Sequence, residues 1–182
     1  MPEPVEGSAF RSVMRRVPSP VVVVTARSEA EARGITIGSF TSVALDPPLV
    51  SFNVGQQSRM HDVIEVCSHF AVHILSEQQV HLAKRFAVPG LTSAEQFEAV
   101  PYHTRPGQET PLLEDVTARL LCVPEDSIVA GDHTLYVGRV VEIETPPDAG
   151  AVLYYQSSYR GVGSELPSTE LSPVKRVSSD SS

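Results

Sequence analysis

The residues of this chain that could do chemistry together fall in short stretches. The first is Thr36–Ser42, inside Gly34–Val54, which reads GITIGSFTSVALDPPLVSFNV. A buried strand is normally aliphatic, but Gly34, Gly38, Ser39, Thr41 and Ser42 leave room against the backbone. Main-chain amides beside such small side chains can donate to a flat, polar-edged ring, and Ser and Thr hydroxyls add to them. The second is Ser58-Arg59. Ser58 is a good N-cap, a helix start carries unpaired amides and a positive dipole end, and Arg59 adds a forked cation. Together they suit a phosphate. The third is Asp132-His133 in Ala-Gly-Asp-His-Thr, where His133 could face a ligand at a strand start while Asp132 fixes its tautomer. Each has an ordinary alternative: a strand bent at a barrel corner, a plain cap with a solvated arginine, or a turn aspartate beside an edge histidine.

Other chemistries lack their residues. His69 and His73 lie four apart, on one face of a strand, but no further ligands accompany them and no metal is expected. His61, His81 and His103 have no partner signature. GxSxG, HExxH, Walker and GxGxxG motifs do not occur, so hydrolase, metalloprotease, nucleotide-triphosphate and Rossmann readings have no support. The formal net charge of −8 argues against nucleic acid, whose phosphates want a basic surface. No run of eighteen apolar residues spans a membrane. The opening MPEPVEGS has no apolar stretch of the kind that leads secretion. Cys67 and Cys122 are far apart among apolar residues and read as reduced, buried fillers, so a cytoplasmic protein is expected.

The elements that must position these groups follow from periodicity. Phe10, Val13, Met14 and Val17 recur at helical spacing until Pro18 and Pro20 end the pattern. Val21–Thr25 is a β-branched run, hence a strand buried on both faces. Arg27–Arg33 is a hairpin connection, the Gly34 strand follows, and Asp46-Pro47-Pro48 stops it. Val50, Phe52 and Val54 then alternate with Leu49, Ser51 and Asn53. Ser58 opens a short helix through Met60, Val63, Ile64 and Cys67. Phe70–Leu75 is a strand, and Ser76 with Gln79 forms a capping box for a helix to Phe86. Residues 88–107 are weakly patterned, with one helical turn near Ser93–Phe97 and then loop. Strands are expected at Val116–Cys122, Gly131–Glu144 and Val152–Tyr155. About six strands with few helices between them favour an antiparallel barrel over a βαβ sheet. Residues 1–162 make one domain, and the Ser/Pro-rich 163–182 is expected to be a disordered tail.

In order and spacing these segments resemble the flavin reductase family of the FMN-binding split barrel, the reductase component of two-component flavin monooxygenases. The resemblance begins at Pro20–Ala26 and is strongest over Gly34-Ile35-Thr36 and Ser39–Val50. It continues through Ser58, Phe70–Ser76 and Leu82–Ala87, and ends with Gly131–Gly138, Leu153-Tyr154-Tyr155 and Tyr159-Arg160. The chain departs from the family pattern at Arg16–Pro20, usually a small, Gly-containing element, and at Ile37-Gly38, where Asn or Thr often meets the ring edge.

The resemblance implies a mainly β, antiparallel split barrel with a few flanking helices. It also implies an NAD(P)H:flavin oxidoreductase using FMN, with FAD as the alternative flavin and NADH or NADPH as reductant. Thr36, Ile37, Gly38, Ser39 and Ser42 would meet the ring edge and ribityl chain, partly through main-chain amides. Ser58, Arg59 and Arg85 would hold the phosphate, with Asn53, Phe86 and Tyr159 completing the cofactor set and Arg160 helping to close the site. His133 would lie by the ring face where nicotinamide stacks. The family implies a homodimer with flavin at the subunit interface, serving a flavin-dependent monooxygenase. The competing function is a flavin-binding electron-transfer module without reductase activity. A split-barrel amine oxidase would need a second phosphate pocket, for which no cluster is visible. A scaffold that does not bind flavin would be colourless.

Overall fold

The structure, a computed structural model, describes residues 3–146 and 150–165. In chain order these form α1 (Gly7–Met14), β1 (Ser19–Pro20), β2 (Val22–Arg27), β3 (Ala32–Ile37), β4 (Thr41–Leu45), β5 (Pro48–Gly55) and α2 (Arg59–Ile64). Next come β6 (Phe70–Ile74), a 3-10 turn (Glu77–Gln79), α3 (Val80–Phe86), α4 (Ser93–Phe97), β7 (Tyr102–Arg105) and β8 (Gln108–Leu113). The chain ends with β9 (Ala118–Ala130), β10 (His133–Glu144), β11 (Val152–Tyr155) and β12 (Ser158–Gly161). The main sheet has seven antiparallel strands in the order β3-β2-β6-β9-β10-β5-β4. It curls until the two ends meet: past the last β4–β5 pair, the Asn53 amide donates to Ser39 Oγ at 2.9 Å. No ladder joins β3 to β5, so the barrel stays split along that seam.

The β-branched run of β2 is buried on both faces because each face meets its own core. Val22, Val24 and Ala26 face the barrel interior with Phe52, Val54, Phe70, Val72, Cys122 and the buried side of α2, Met60, Val63 and Ile64. Val21 and Val23 pack outside against Leu75, Leu82, Ala83, Phe86 and Leu113. Phe52 and Phe70 meet edge to face at 5.4 Å. Gly138 on β10 is required there, because a Cβ would overlap the Phe70 ring.

His73, in the middle of β6, is fully enclosed. Its Nδ1 donates to the Val23 carbonyl at 3.0 Å, and its Nε2 accepts from the Leu113 amide at 3.1 Å. Both ring nitrogens are thus used, and burial pushes the imidazole pKa down to about 3. His69 is partly buried, its Nδ1 3.1 Å from Ser68 Oγ. Cys67 and Cys122 are buried and unpaired, and burial raises both thiols.

Several expectations change. The described residues hold twelve strands rather than six. The single strand expected from Gly34 is divided between β3 and β4. The region read as loop after residue 97 contains the β7–β8 hairpin, turned at Pro106-Gly107 with Gly107 at φ 75°. Arg105 of that hairpin pairs with Glu142 at 2.7 Å and also with Glu144, holding it to β10. β9 runs eight residues beyond Cys122, pairing with β10 as a long exposed arm. The α1 helix forms as its spacing predicts, but none of its residues is buried. Residues 163–165 have no regular structure, and the rest of the expected tail, 166–182, lies outside the described residues.

Candidate functional site

Along β3, hydrogen bonding alternates sides every second residue. Gly34 points its amide and carbonyl away from β2, to the Gln96 side chain at 3.2 and 3.1 Å. By that alternation the Thr36 amide and carbonyl lie on the same outer edge, facing the seam. The Thr36 hydroxyl is not a free donor, because it is spent on the Ala83 carbonyl at 2.7 Å. The shelf therefore works through its main chain, as expected, and less through its hydroxyls. Gly34 does not leave room for a ligand either: a Cβ there would overlap the Phe86 ring, which fills the space itself. Gly38 has no such occupant, its nearest neighbour being the Ser19 Cβ at 3.4 Å from an added Cβ.

Two cavities meet at this strand. The larger, about 600 Å³, opens along the seam and is lined by Ile35, Thr36, Ile37, Gly38, Ser39, Asn53, Gly55 and His133. His133 stands at the start of β10, after a two-residue hairpin turn in which Gly131 takes φ 65°. Its Nδ1 is 2.7 Å from Asp132 Oδ1, and this hydrogen bond holds the Asp132 carboxyl below its ordinary pKa. The ring is half-exposed and lies beside Gly55, its partner across the ladder. Asp132 thus orients His133 and leaves Nε2 toward the opening.

The second cavity, about 460 Å³, continues past Ile35 and Thr36, which line both. Ser58, Arg59, Gln57, Phe86, the 87–91 loop, Arg33 and Gln96 complete its walls. Ser58 caps α2 as its sequence predicts, accepting from the Met60 amide at 3.2 Å. Arg59 is exposed and makes no hydrogen bond or ion pair among the described residues, so its charge is available to a ligand.

Most of the expected residues therefore share one continuous cleft, and four do not. Arg85 lines neither cavity: its Nε donates to the Gln96 carbonyl at 2.9 Å and its other nitrogen to the Glu95 carbonyl at 2.5 Å, capping the end of α4. Ser42 is exposed on β4, paired with Val50. Tyr159 packs edge to face on Tyr154 at 5.1 Å, against the outer core. Arg160 stacks over the Tyr155 ring at 5.5 Å. Conversely, Arg33, Gln57, Gly55 and Gln96 line the cleft without having been singled out. Gln57 and Gly55 are adjacent to marked positions, but Arg33 and Gln96 become visible only once α4 is seen against β3.

The cleft suits a planar ring along a main-chain edge, with an anion beyond it. Residues 14–163 match the family model described as the flavin reductase like domain. The chain is 38% identical to the NADH:riboflavin 5'-phosphate oxidoreductase of Streptomyces pristinaespiralis over 153 residues, 83% of this chain and 85% of that one. It is 35% identical over 159 residues to the reductase component of the 4-nitrophenol 4-monooxygenase/4-nitrocatechol 2-monooxygenase of Rhodococcus opacus, covering 87% of this chain and 80% of the other. Among solved structures, the NADH:FAD oxidoreductase of Streptomyces globisporus, determined with NAD and FAD fragments, superposes with a TM-score of 0.79 at 32% identity, covering 89% of this chain and 98% of that one. With the split barrel, the seam and the family match in agreement, the chain belongs to the flavin reductase like domain family.

Proposed function

We propose that this protein is an NAD(P)H:flavin oxidoreductase that binds FMN, uses NADH, and supplies reduced flavin to a partner flavin-dependent monooxygenase. The observation that carries this reading is the pair of cavities joined at Ile35 and Thr36, one edged by main-chain groups and His133, the other by Ser58 and the unpaired Arg59. Bound flavin supplies the ring that takes up hydride from the reduced nicotinamide. The chain binds and orients. The Thr36 and Gly38 main chain offers donors where negative charge grows on the ring. Ser58 and Arg59 hold the phosphate. His133, fixed by Asp132, borders the open side and positions the nicotinamide. No protein acid or base is called for; among the described residues lining the seam cavity the titratable side chain is His133, bonded to Asp132. Asn53 and Ser39 keep the two sides of the seam at a set distance through their hydrogen bond.

The partner oxygenase rests on the relative named as a reductase component. A homodimer rests on exposed apolar surface. Phe10 and Val13 of α1 are 62% and 61% exposed, and Ile128 and Val129 of the β9–β10 arm are 56% and 72% exposed. Such surface is normally covered by a partner. The free, buried cysteines fit a reducing, cytoplasmic setting, and no helix among the described residues is long and apolar enough to cross a membrane.

The test is direct. Purified protein with added FMN should accelerate NADH oxidation well above the rate without protein. An unchanged rate with either NADH or NADPH, and with either FMN or FAD, sinks the reading. Sedimentation at micromolar concentration should give twice the chain mass.

A further inference from the structure

Gln96 is buried at 6% exposure on α4, a helix of little more than one turn, and its carboxamide reaches the open edge of the main sheet. There it accepts from the Gly34 amide at 3.2 Å and donates to the Gly34 carbonyl at 3.1 Å. One side chain thus makes the pair of bonds that a neighbouring strand would make. β3 has β2 on one side and no strand on the other. Two residues along the same edge lies Thr36, whose main-chain groups face the cleft. Without Gln96, the edge would lose its last fixed point before the binding segment.

The surroundings hold Gln96 itself in place. Thr92 and Glu95 form a capping box that starts α4. The Gln96 amide donates to the Thr92 carbonyl at 2.9 Å, and its carbonyl accepts from Arg85 Nε, also at 2.9 Å. Arg33, next to Gly34, donates to the Leu91 carbonyl at 2.6 Å, tying the incoming loop to the same strand. Phe86 covers the face of Gly34 while Gln96 holds its edge.

We infer that Gln96 is a positioning residue for flavin binding: its carboxamide acts as a one-residue surrogate strand that sets the Thr36–Gly38 main chain at the spacing the ring requires. The inference rests on the proposed flavin reductase reading of the same cleft. It also gives Arg85 a role different from direct phosphate contact, since Arg85 secures the turn that carries Gln96.

The test uses Gln96→Met and Gln96→Glu in the full chain, with FMN affinity read by quenching of flavin fluorescence. Gln96→Met keeps the volume and deletes both bonds. It should weaken FMN about tenfold, about one hydrogen-bonded pair's worth, and raise the KM for FMN while leaving the KM for NADH near wild type. Gln96→Glu separates positioning from packing. Protonated, the introduced carboxyl has one acceptor and one donor and can remake both bonds; ionised, it faces the Gly34 carbonyl with no donor. The charged groups near it are Arg33 of β3, Arg85 of α3 and Glu95 of α4. The ratio of variant to wild-type Kd cancels the titration of the FMN phosphate. That ratio should rise about fivefold or more from pH 5.5 to pH 8.5, with circular dichroism showing both proteins folded. A pH-independent ratio, or a Gln96→Met variant that loses thermal stability but binds FMN as wild type does, overturns the role of Gln96 and leaves the flavin reading standing. Wild type that fails to bind FMN overturns both.

Discussion

The two histidines named by their neighbours, His73 and His133, stand at opposite extremes of the same barrel. His73 sits where β2, β6 and β8 converge, with both nitrogens bonded and no surface exposed. His133 sits at the tip of the β9–β10 arm, half-exposed, with one nitrogen turned to Asp132 and the other open. The difference extends to their surroundings. Around His73 the sheet is continuous and its polar groups are consumed by protein partners, so the region can specify structure but bind nothing. Along the cleft that His133 borders, β3 and β5 form no ladder, and main-chain groups and one arginine remain uncommitted. Burial without vacancy makes a scaffold, and an unsealed edge on that scaffold makes a site.

Substitutions should separate the two regions sharply. The largest effect belongs to the closed side. Gly138→Val must push aside the Phe70 ring, and its thermal or urea unfolding should report a loss of about 3 kcal/mol or more, or no folded protein. His73→Ala should cost about 3 kcal/mol, because it opens a cavity and strands the Val23 carbonyl and Leu113 amide.

His73 also gives a pH signature. Its folded pKa is depressed from 6.5 to about 3, so the folded state refuses a proton that the unfolded state takes. The contribution is complete above pH 6.5 and is lost as pH falls from 6.5 toward 3, at up to about 1.4 kcal/mol per unit. Urea midpoints measured down that range should fall less steeply for His73→Gln, which keeps a donor and an acceptor but does not titrate. Equal slopes would mean that His73 is reached by water.

The open side should respond in binding and leave stability nearly untouched. Arg59→Ala should raise the KM for FMN about tenfold while the melting temperature stays within a degree or two. His133→Ala should raise the KM for NADH several-fold and keep FMN affinity; a reversed pattern would move His133 to the flavin side. The smallest effect is Asp132→Asn, about two- to threefold on the same NADH parameter, since Asp132 is exposed and acts only through His133.

What sequence could disclose follows the same division. β2, β5, β6 and the Ser58 cap announce themselves because burial on fixed faces imposes periodicity on them. The cap, the Ser76–Gln79 capping box and the Asp132-His133 pair are local, so nearby letters suffice. β7, β12 and the outer half of β9 are largely exposed and show no clean apolar alternation, and their strand character comes from partners rather than from their own pattern. The α1 spacing is amphipathic, yet none of its residues is buried against the described residues, so periodicity revealed the helix and not its neighbour. Gly34 reads as room for a ligand, although Phe86, fifty-two positions later, fills it. Arg85 reads as a phosphate ligand until α4, a single turn with almost no signal, claims its guanidinium. Long-range partners are what a linear reading cannot supply.

The seam between β3 and β5 has a consequence for handling the protein. An unpaired strand edge invites docking by other chains, and Gln96 shields the Gly34 part of this one. A small molecule seated there acts as a stopper, and mass action then raises the melting temperature by an amount set by its concentration over its Kd. Preparations kept in excess FMN should consequently stay clear and dispersed on warming, where stripped samples turn turbid.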